Sequence, residues 1–440
     1  MVGMLAAMPP APSNRPDRDE PPLTSVRDRG DACPGALRLH TADDGALARV
    51  RVPAGVLSAA QAYALADAAQ RLGDGALDIT SRGNLQLRGL EAGCGGELAL
   101  LLDAAGLLPS PRHERVRNVV ASPLSGLDGR GYADVQPLVR ELDALLCASE
   151  RAPELSGRFL FALDDGRGDM AELAADVMLL AEPGGGSVRV TVGDAAVRVK
   201  AEDGPRAMLL AAEAFLDAAA TRAWRVRELP AAHAVSAADL AARAAAAGLD
   251  ADDAVAAVPP SCPDRAAGGE GPPVPGAGHG AVYVVAPLGR VTASAWRLIA
   301  GVAERYGPGE LRVTPWRGVV VVGAGEEQLG VLAGAGLVTD PASPWLGVGA
   351  CTGRPGCAKS LADVRADATA LLPAGAGGLP VHWSGCERRC GHPRGAWVDV
   401  VATAEGHYEV SAPGGPPRTV PLTELAGALA AARTITTPTK

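Results

Sequence analysis

The sequence predicts an α+β protein of two related halves, each a small α/β unit followed by a larger α+β domain. Three observations predict it. A strand, helix, strand pattern that begins near Pro53 returns at Pro287, and a long segment of mixed character follows each copy. The composition is that of a globular chain rich in turns: 48% apolar, with 55 Gly and 36 Pro and only 3% aromatic residues, so the core must be built mainly from Ala, Val and Leu.

In chain order, residues 1–30 join a Met- and Pro-containing start to a charged stretch, Arg15 to Arg29, and read as a disordered leader on a cytoplasmic chain. Leu47 to Val52 alternates as a strand. Pro53-Ala54-Gly55 then opens an Ala/Leu helix that runs to Gly73, and Leu77-Asp78-Ile79-Thr80-Ser81-Arg82-Gly83 with Leu85 to Leu87 supplies further strand pattern. In the second copy Pro287-Leu288-Gly289 precedes a helix from Ser294 to Tyr306, Gly307, the segment Leu311 to Gly318 that repeats the strand pattern, and the buried run Val319 to Val322. The offset is 234 residues from Pro53 to Pro287 and 235 from Arg82 to Arg317, which indicates a duplicated half with one insertion rather than a solenoid.

The boundaries expected are 31–110 for the first small unit and 111–257 for the first larger domain, which includes the strand Val188 to Val192. A Pro/Gly linker follows over 258–280, then the second small unit over 281–344 and the second larger domain over 345–440.

Charge and hydropathy exclude several classes. Fifty acidic against 41 basic residues give a net charge of −9, unlike a basic nucleic-acid binder, and no apolar run is long enough to span a membrane. The sequence also has no dinucleotide G-x-G-x-x-G, no P-loop and no G-x-S-x-G. Arg167-Gly168-Asp169 reads as a turn.

Of eight cysteines, four gather in two pairs: Cys351-x5-Cys357 and Cys386-x3-Cys390. The first spacing is wide for a zinc knuckle, and four irregularly spaced thiolates suit an iron-sulfur cluster, with zinc or buried free thiols as the alternatives. Leu361, Val364, Ala368 and Leu371 mark a helix face and put the first pair at a helix N-terminus, where the dipole favours an anionic group. Val381-His382-Trp383 reads as a strand. The second pair has both sulfurs on one side if a helical turn follows. His382 and His392 flank that pair and read as packed or surface residues before they read as ligands.

The repeat together with C-x5-C and C-x3-C resembles the sulfite/nitrite reductase superfamily over roughly residues 33 to 410. That resemblance implies the two-half architecture of the nitrite/sulfite reductases, with ferredoxin-like small units, and a 4Fe-4S cluster on Cys351, Cys357, Cys386 and Cys390. It also implies basic residues that hold tetrapyrrole carboxylates and substrate. Thr80 to Gln86 resembles the family's T-x-R-x-x-x-Q stretch, Arg117-Asn118-Val119 its Arg-Asn-Val stretch, and Arg158-Phe159-Leu160 its K-F-K stretch with the second cation replaced by leucine. Arg82, Arg117 and Arg158 are therefore the substrate-binding candidates, with Arg88 and Arg317 as further cations for which a surface role is the plainer reading.

The phrases around Cys33, Cys351 to Cys357 and Cys386 to Cys390 are most similar to the branch of this superfamily that oxygenates a precorrin in aerobic cobalamin biosynthesis. The resemblance implies an O2-dependent monooxygenase that hydroxylates precorrin-3A at C20 with γ-lactone formation. Its cofactor would be the 4Fe-4S cluster, with a mononuclear non-haem iron as a further candidate and sirohaem less favoured. Its electrons would come from an external donor, an NAD(P)H-linked reductase or a ferredoxin, and a monomer is expected. A sirohaem-dependent sulfite or nitrite reductase is the alternative, and Leu160 in place of a substrate cation weighs against it.

Overall fold

The computed structural model describes residues 31, 33–219, 223–253, 255, 257, 271–372, 378–393 and 395–433; the expected leader, 1–30, and most of the expected linker, 258–270, lie outside them. The described chain forms two compact units that divide between Val348 and Gly349.

In the first unit the two copies of the repeat interlock. One five-stranded sheet runs His40–Ala42, Gly45–Val50, Leu85–Leu90, Ala76–Ile79 and then Arg290–Thr292, a strand of the second copy. The other runs Gly276–Gly278, Ala281–Val285, Gly318–Val322, Glu310–Val313 and then Val56–Ser58, a strand of the first copy. Every pairing in these sheets is antiparallel. Each copy thus completes the other's sheet, and Gly276–Gly278, inside the segment read as linker, is a paired strand.

The exchange begins at the Pro-x-Gly turns. Ala54 and Leu288, at equivalent places, both adopt left-handed φ angles of 52° and 53°, and each turn throws a three-residue strand across to the neighbouring sheet. A helix follows each strand. Ser58 caps Ala59–Leu72 in a capping box with Gln61, and Thr292 caps Ala293–Tyr306, so each helix start is fixed by a hydroxyl that accepts an otherwise unpaired N–H. Trp296 is fully buried and its Nε1 donates to the Ala62 carbonyl at 3.0 Å, so the two helices share one core.

The same unit contains a mixed sheet in the order Ala195–Lys200, Ser187–Val192, Val177–Ala181, Phe161–Asp164, Val119–Ala121. Helices Gln136–Ala148, Gly204–Ala219 and Ala237–Ala246 contribute to its core, in which Phe159, Phe161 and Phe215 cluster. Val119–Ala121, Phe161–Asp164 and Val177–Ala181 run parallel, and the remaining strands are antiparallel.

The second unit is built on the sheet Val348–Ala350, Val381–Ser384, Val398–Ala404, His407–Ser411, Arg418–Pro421, with the helix Leu422–Arg433. The strand read at Val381 to Trp383 is present, and Trp383 packs edge-on against Tyr408. Two expectations near the cysteines need correction. The helix after the first pair spans only Val364–Ala370 and is capped by Asp363, whose side chain accepts from Ala366 N, so Cys351 and Cys357 do not sit at its N-terminus. The second pair lies in turns rather than a helix. Among the described residues no helix is long and apolar enough to cross a membrane.

Candidate functional site

A cavity of about 420 Å³ in the first unit is walled by Cys33, Arg49, Arg51, Arg82, Arg158 and Arg227, with Arg225, Glu228, Pro34, Thr80 and Ser81 completing it. Strand alternation explains the first two arginines. Val50 and Val52 point into the core, so Arg49 and Arg51 face the other way. Arg82 sits in the turn after Ala76–Ile79, where Thr80 Oγ1 accepts from Arg82 N and Asn84 N. Its Nη1 donates to the Arg158 carbonyl at 3.0 Å, and the Arg158 guanidinium lies 4.6 Å from the Trp224 ring centre.

What distinguishes this cavity is that, among the described residues, Arg49, Arg51 and Arg82 hydrogen-bond to no carboxylate, although Glu228 stands in the same wall. Arg49 donates to Gln86 Oε1 and the Cys33 sulfur. Arg51 donates to Asn118 Oδ1, the Gly157 carbonyl and the same sulfur. Burial together with the Arg225 and Arg51 charges pushes Arg82 down to about 9, and burial with the Arg51 charge pushes Arg49 down to about 10. Nε of Arg49 and Nε of Arg51 are buried without a hydrogen-bond partner among the described residues. Crowded, desolvated cations without carboxylate partners are a site for an anion. Arg225 differs, since it pairs with buried Asp176 at 2.5 Å and thereby fixes the loop that carries Arg227.

The structure brings Arg82 and Arg158 to this cavity but not Arg117. Arg117 is 5% exposed and makes a two-point ion pair with Asp143, both bonds 2.7 Å. Its neighbour Asn118 serves the site instead, accepting from Asn84 Nδ2 and Arg51 and donating to the Phe159 carbonyl. Arg88 is buried against Asp44, again by two bonds, and Arg317 donates to the Leu288 carbonyl at a turn, so neither lines the cavity. Leu160 is 2% exposed and packs with Val120, Ala162 and Met170, with Trp316 against them. Arg49, Arg51 and Arg227 were the residues missed, and the Arg-Val-Arg-Val alternation was the signal for the first two.

In the second unit the Cys351 sulfur accepts from Gly385 N at 3.2 Å, and Cys351 N donates to the Trp383 carbonyl. Burial raises the Cys351 and Cys390 thiols, and the neighbouring cysteines raise them further. Charge on neighbouring thiols disfavours ionisation of Cys351 and Cys390, and a cationic group bound by these thiols would offset it. Among the described residues no three His, Cys, Asp or Glu side chains converge closely enough to hold one metal ion, while four thiols are donors of the type an iron-sulfur group takes. His382 is fully buried, with Nε2 at 3.0 Å from the Cys390 carbonyl, and His392 stacks on Trp397.

The nitrite/sulfite reductase ferredoxin-like half domain matches residues 40–93 and 275–335. The chain is 28% identical over 408 residues to a ferredoxin–nitrite reductase of Synechococcus elongatus, covering 81% of this chain and 76% of that protein. It is 26% identical over 396 residues to a precorrin-3B synthase of Sinorhizobium sp, covering 86% and 82%. Among solved structures it resembles in fold the NirA protein of Mycobacterium tuberculosis, at a TM-score of 0.66 and 20% identity, over 87% of this chain and 79% of that one.

Proposed function

The chain is a member of the nitrite/sulfite reductase superfamily by its two ferredoxin-like half domains, and from that premise we propose that it acts as a precorrin-3B synthase. In this reading it is an oxidoreductase that takes precorrin-3A, O2, two electrons and two protons to a C20-hydroxylated γ-lactone and water. The observation that carries the reading is the arginine cavity. Several desolvated guanidiniums that hydrogen-bond to no carboxylate among the described residues suit an octacarboxylate macrocycle, and a charge-assisted pair is the strongest kind of contact they can offer it.

Leu160 is consistent with oxygen chemistry in one respect: where the resembling K-F-K stretch carries a second cation, this chain has an apolar side chain packed in an apolar cluster, which adds no positive charge to the cavity. A 4Fe-4S cluster on the thiolates of Cys351, Cys357, Cys386 and Cys390 would supply single electrons. The chain's own residues bind and orient: Arg49, Arg51 and Arg82 engage macrocycle carboxylates, and Trp224 holds Arg158 in place for another. Electrons come from an external reductase or ferredoxin, since the sequence has no dinucleotide fingerprint.

The decisive experiment incubates the anaerobically purified protein with precorrin-3A and reductant, then admits 18O2. The expected product is heavier by one labelled oxygen. The similarity to a ferredoxin–nitrite reductase supports the alternative reading. Ammonia or sulfide formation by a sirohaem-coloured protein, without oxygen transfer, would establish it instead. The cluster is tested separately: about four iron and four sulfide per chain are expected, lost in each Cys→Ser variant of the four, and zinc in their place would refute it.

A further inference from the structure

Cys33 is the thiol in the wall of the arginine cavity. It is 8% exposed, and its sulfur lies 3.2 Å from Arg51 Nη2 and 3.7 Å from Arg49 Nη1, both donating to it, while the sulfhydryl can donate to the Gly157 carbonyl at 3.4 Å. Arg51 is only 3% exposed, lines the same cavity, and keeps a buried Nε without a partner among the described residues. The thiol therefore stands where two guanidiniums could receive an anion.

Two other thiols of this unit provide the contrast. Burial raises Cys94, and Glu91 and Glu97 raise it further; burial raises Cys147, with Asp143 adding to it and Arg117 offsetting part of the rise. Cys33 differs in geometry: two guanidinium N–H groups point at its sulfur, whereas carboxylates stand beside the other two thiols.

We propose that Cys33 is a peroxide-reactive thiol whose oxidised forms close the cavity to carboxylates. The proposal rests on the reading of the cavity as a carboxylate site. In the first step a Cys33 S–O bond forms as the O–O bond of hydrogen peroxide breaks. Sulfur is oxidised by two electrons, the peroxide is reduced to water, and the product is a sulfenic acid. A second peroxide gives the sulfinic acid, which ionises to an anion with two oxygens, close to a carboxylate in shape and charge. Tethered between Arg49 and Arg51, that anion takes the donors a ligand carboxylate needs.

The test treats the intact, anaerobically purified protein with hydrogen peroxide in the presence of dimedone and maps adducts by mass spectrometry. Cys33 should be labelled on the order of tenfold faster than Cys94 and Cys147, and prior addition of uroporphyrin, a stable octacarboxylate, should slow it. After peroxide without dimedone, wild-type protein should lose uroporphyrin binding, followed by porphyrin fluorescence. Cys33→Ser should bind equally before and after. Should that variant fail to fold, wild-type binding before peroxide, after it, and after early rescue by dithiothreitol decides the matter. Labelling of Cys33 no faster than Cys94, or uroporphyrin binding that survives complete oxidation of Cys33, overturns the proposal and leaves the cavity's function intact. Untreated protein that fails to bind uroporphyrin refutes the carboxylate reading, and closure of the cavity falls with it.

Discussion

Arg51 and Arg117 differ in what their charges meet, and that difference separates binding from stability. Arg51 donates to two neutral oxygens and a sulfur, whereas Arg117 is fully engaged with Asp143. Arg51→Gln and Arg82→Gln should each weaken uroporphyrin binding by about 1.5 to 3 kcal/mol, the worth of a charged hydrogen bond, with little loss of folding stability because each also relieves crowding of like charge. Arg117→Gln should do the reverse, costing about 2 to 3 kcal/mol of stability by leaving Asp143 without its partner and barely changing affinity. Fluorescence titration and urea unfolding on the three variants check this, and an Arg117→Gln protein of normal stability and poor binding would contradict it. A second residue prediction concerns Asp169, which burial and then the Asp164 charge raise to about 8, while Ser122 Oγ donates to it at 2.6 Å. A carboxyl raised in the folded state contributes stability that is fully present below about pH 4, its unfolded range, and is lost as pH rises through about 8. Asp165 and Arg167 are its other charged neighbours. Asp169→Asn, which keeps a hydrogen-bonding amide but cannot ionise, should therefore flatten the fall in urea midpoint between pH 6 and 9. An unchanged slope would show that Asp169 is ionised throughout.

At the scale of elements, the duplicated motif was legible because its signals are local: a hydroxyl cap at Ser58 and Thr292, 3.6-residue periodicity, and a glycine after each helix. The strand exchange was not legible. It depends on three-residue strands pairing across more than two hundred residues, Ala76 with Thr292 and Ser58 with Glu310, and so short a strand carries no pattern of its own. The cavity divides the same way. Arg82 and Arg158 fall in recognisable phrases, Arg49 and Arg51 were visible only as strand alternation, and Arg227 comes from a loop whose position is set by the buried Arg225 and Asp176 pair. Repetition in sequence also conceals unequal packing. Gly55 and Gly289 occupy equivalent turns with φ of 70° and 75°, yet a Cβ on Gly55 would fall 1.8 Å from the Val313 carbonyl oxygen, whereas one on Gly289 would first meet the Arg317 side chain at 2.7 Å. A side chain can move aside and a paired strand cannot. Gly55→Ala should thus cost about 3 kcal/mol or more, and Gly289→Ala about 1 to 2, as read by urea unfolding. Equal costs would mean that the Val313 strand yields as easily as the arginine.

For the molecule as a whole, the charge is arranged against its proposed ligand. The chain carries −9 while one cavity concentrates guanidiniums, so an octacarboxylate is repelled at long range and attracted only on close approach. Salt acts on these two regimes differently. The Debye length falls from about 30 Å at 0.01 M to about 8 Å at 0.15 M, which removes the long-range repulsion first, whereas contacts inside a desolvated cavity are screened much less. The association rate of uroporphyrin, measured by stopped-flow fluorescence, should therefore rise over that range, and the dissociation rate should rise by a smaller factor. A cationic patch that dominated the outer field would give the opposite sign, with association slowing steeply as salt is added. That outcome would mean that the arginines steer the ligand from a distance instead of capturing it at contact, and selectivity for a polycarboxylate would then lie in encounter rather than in the fit of the cavity.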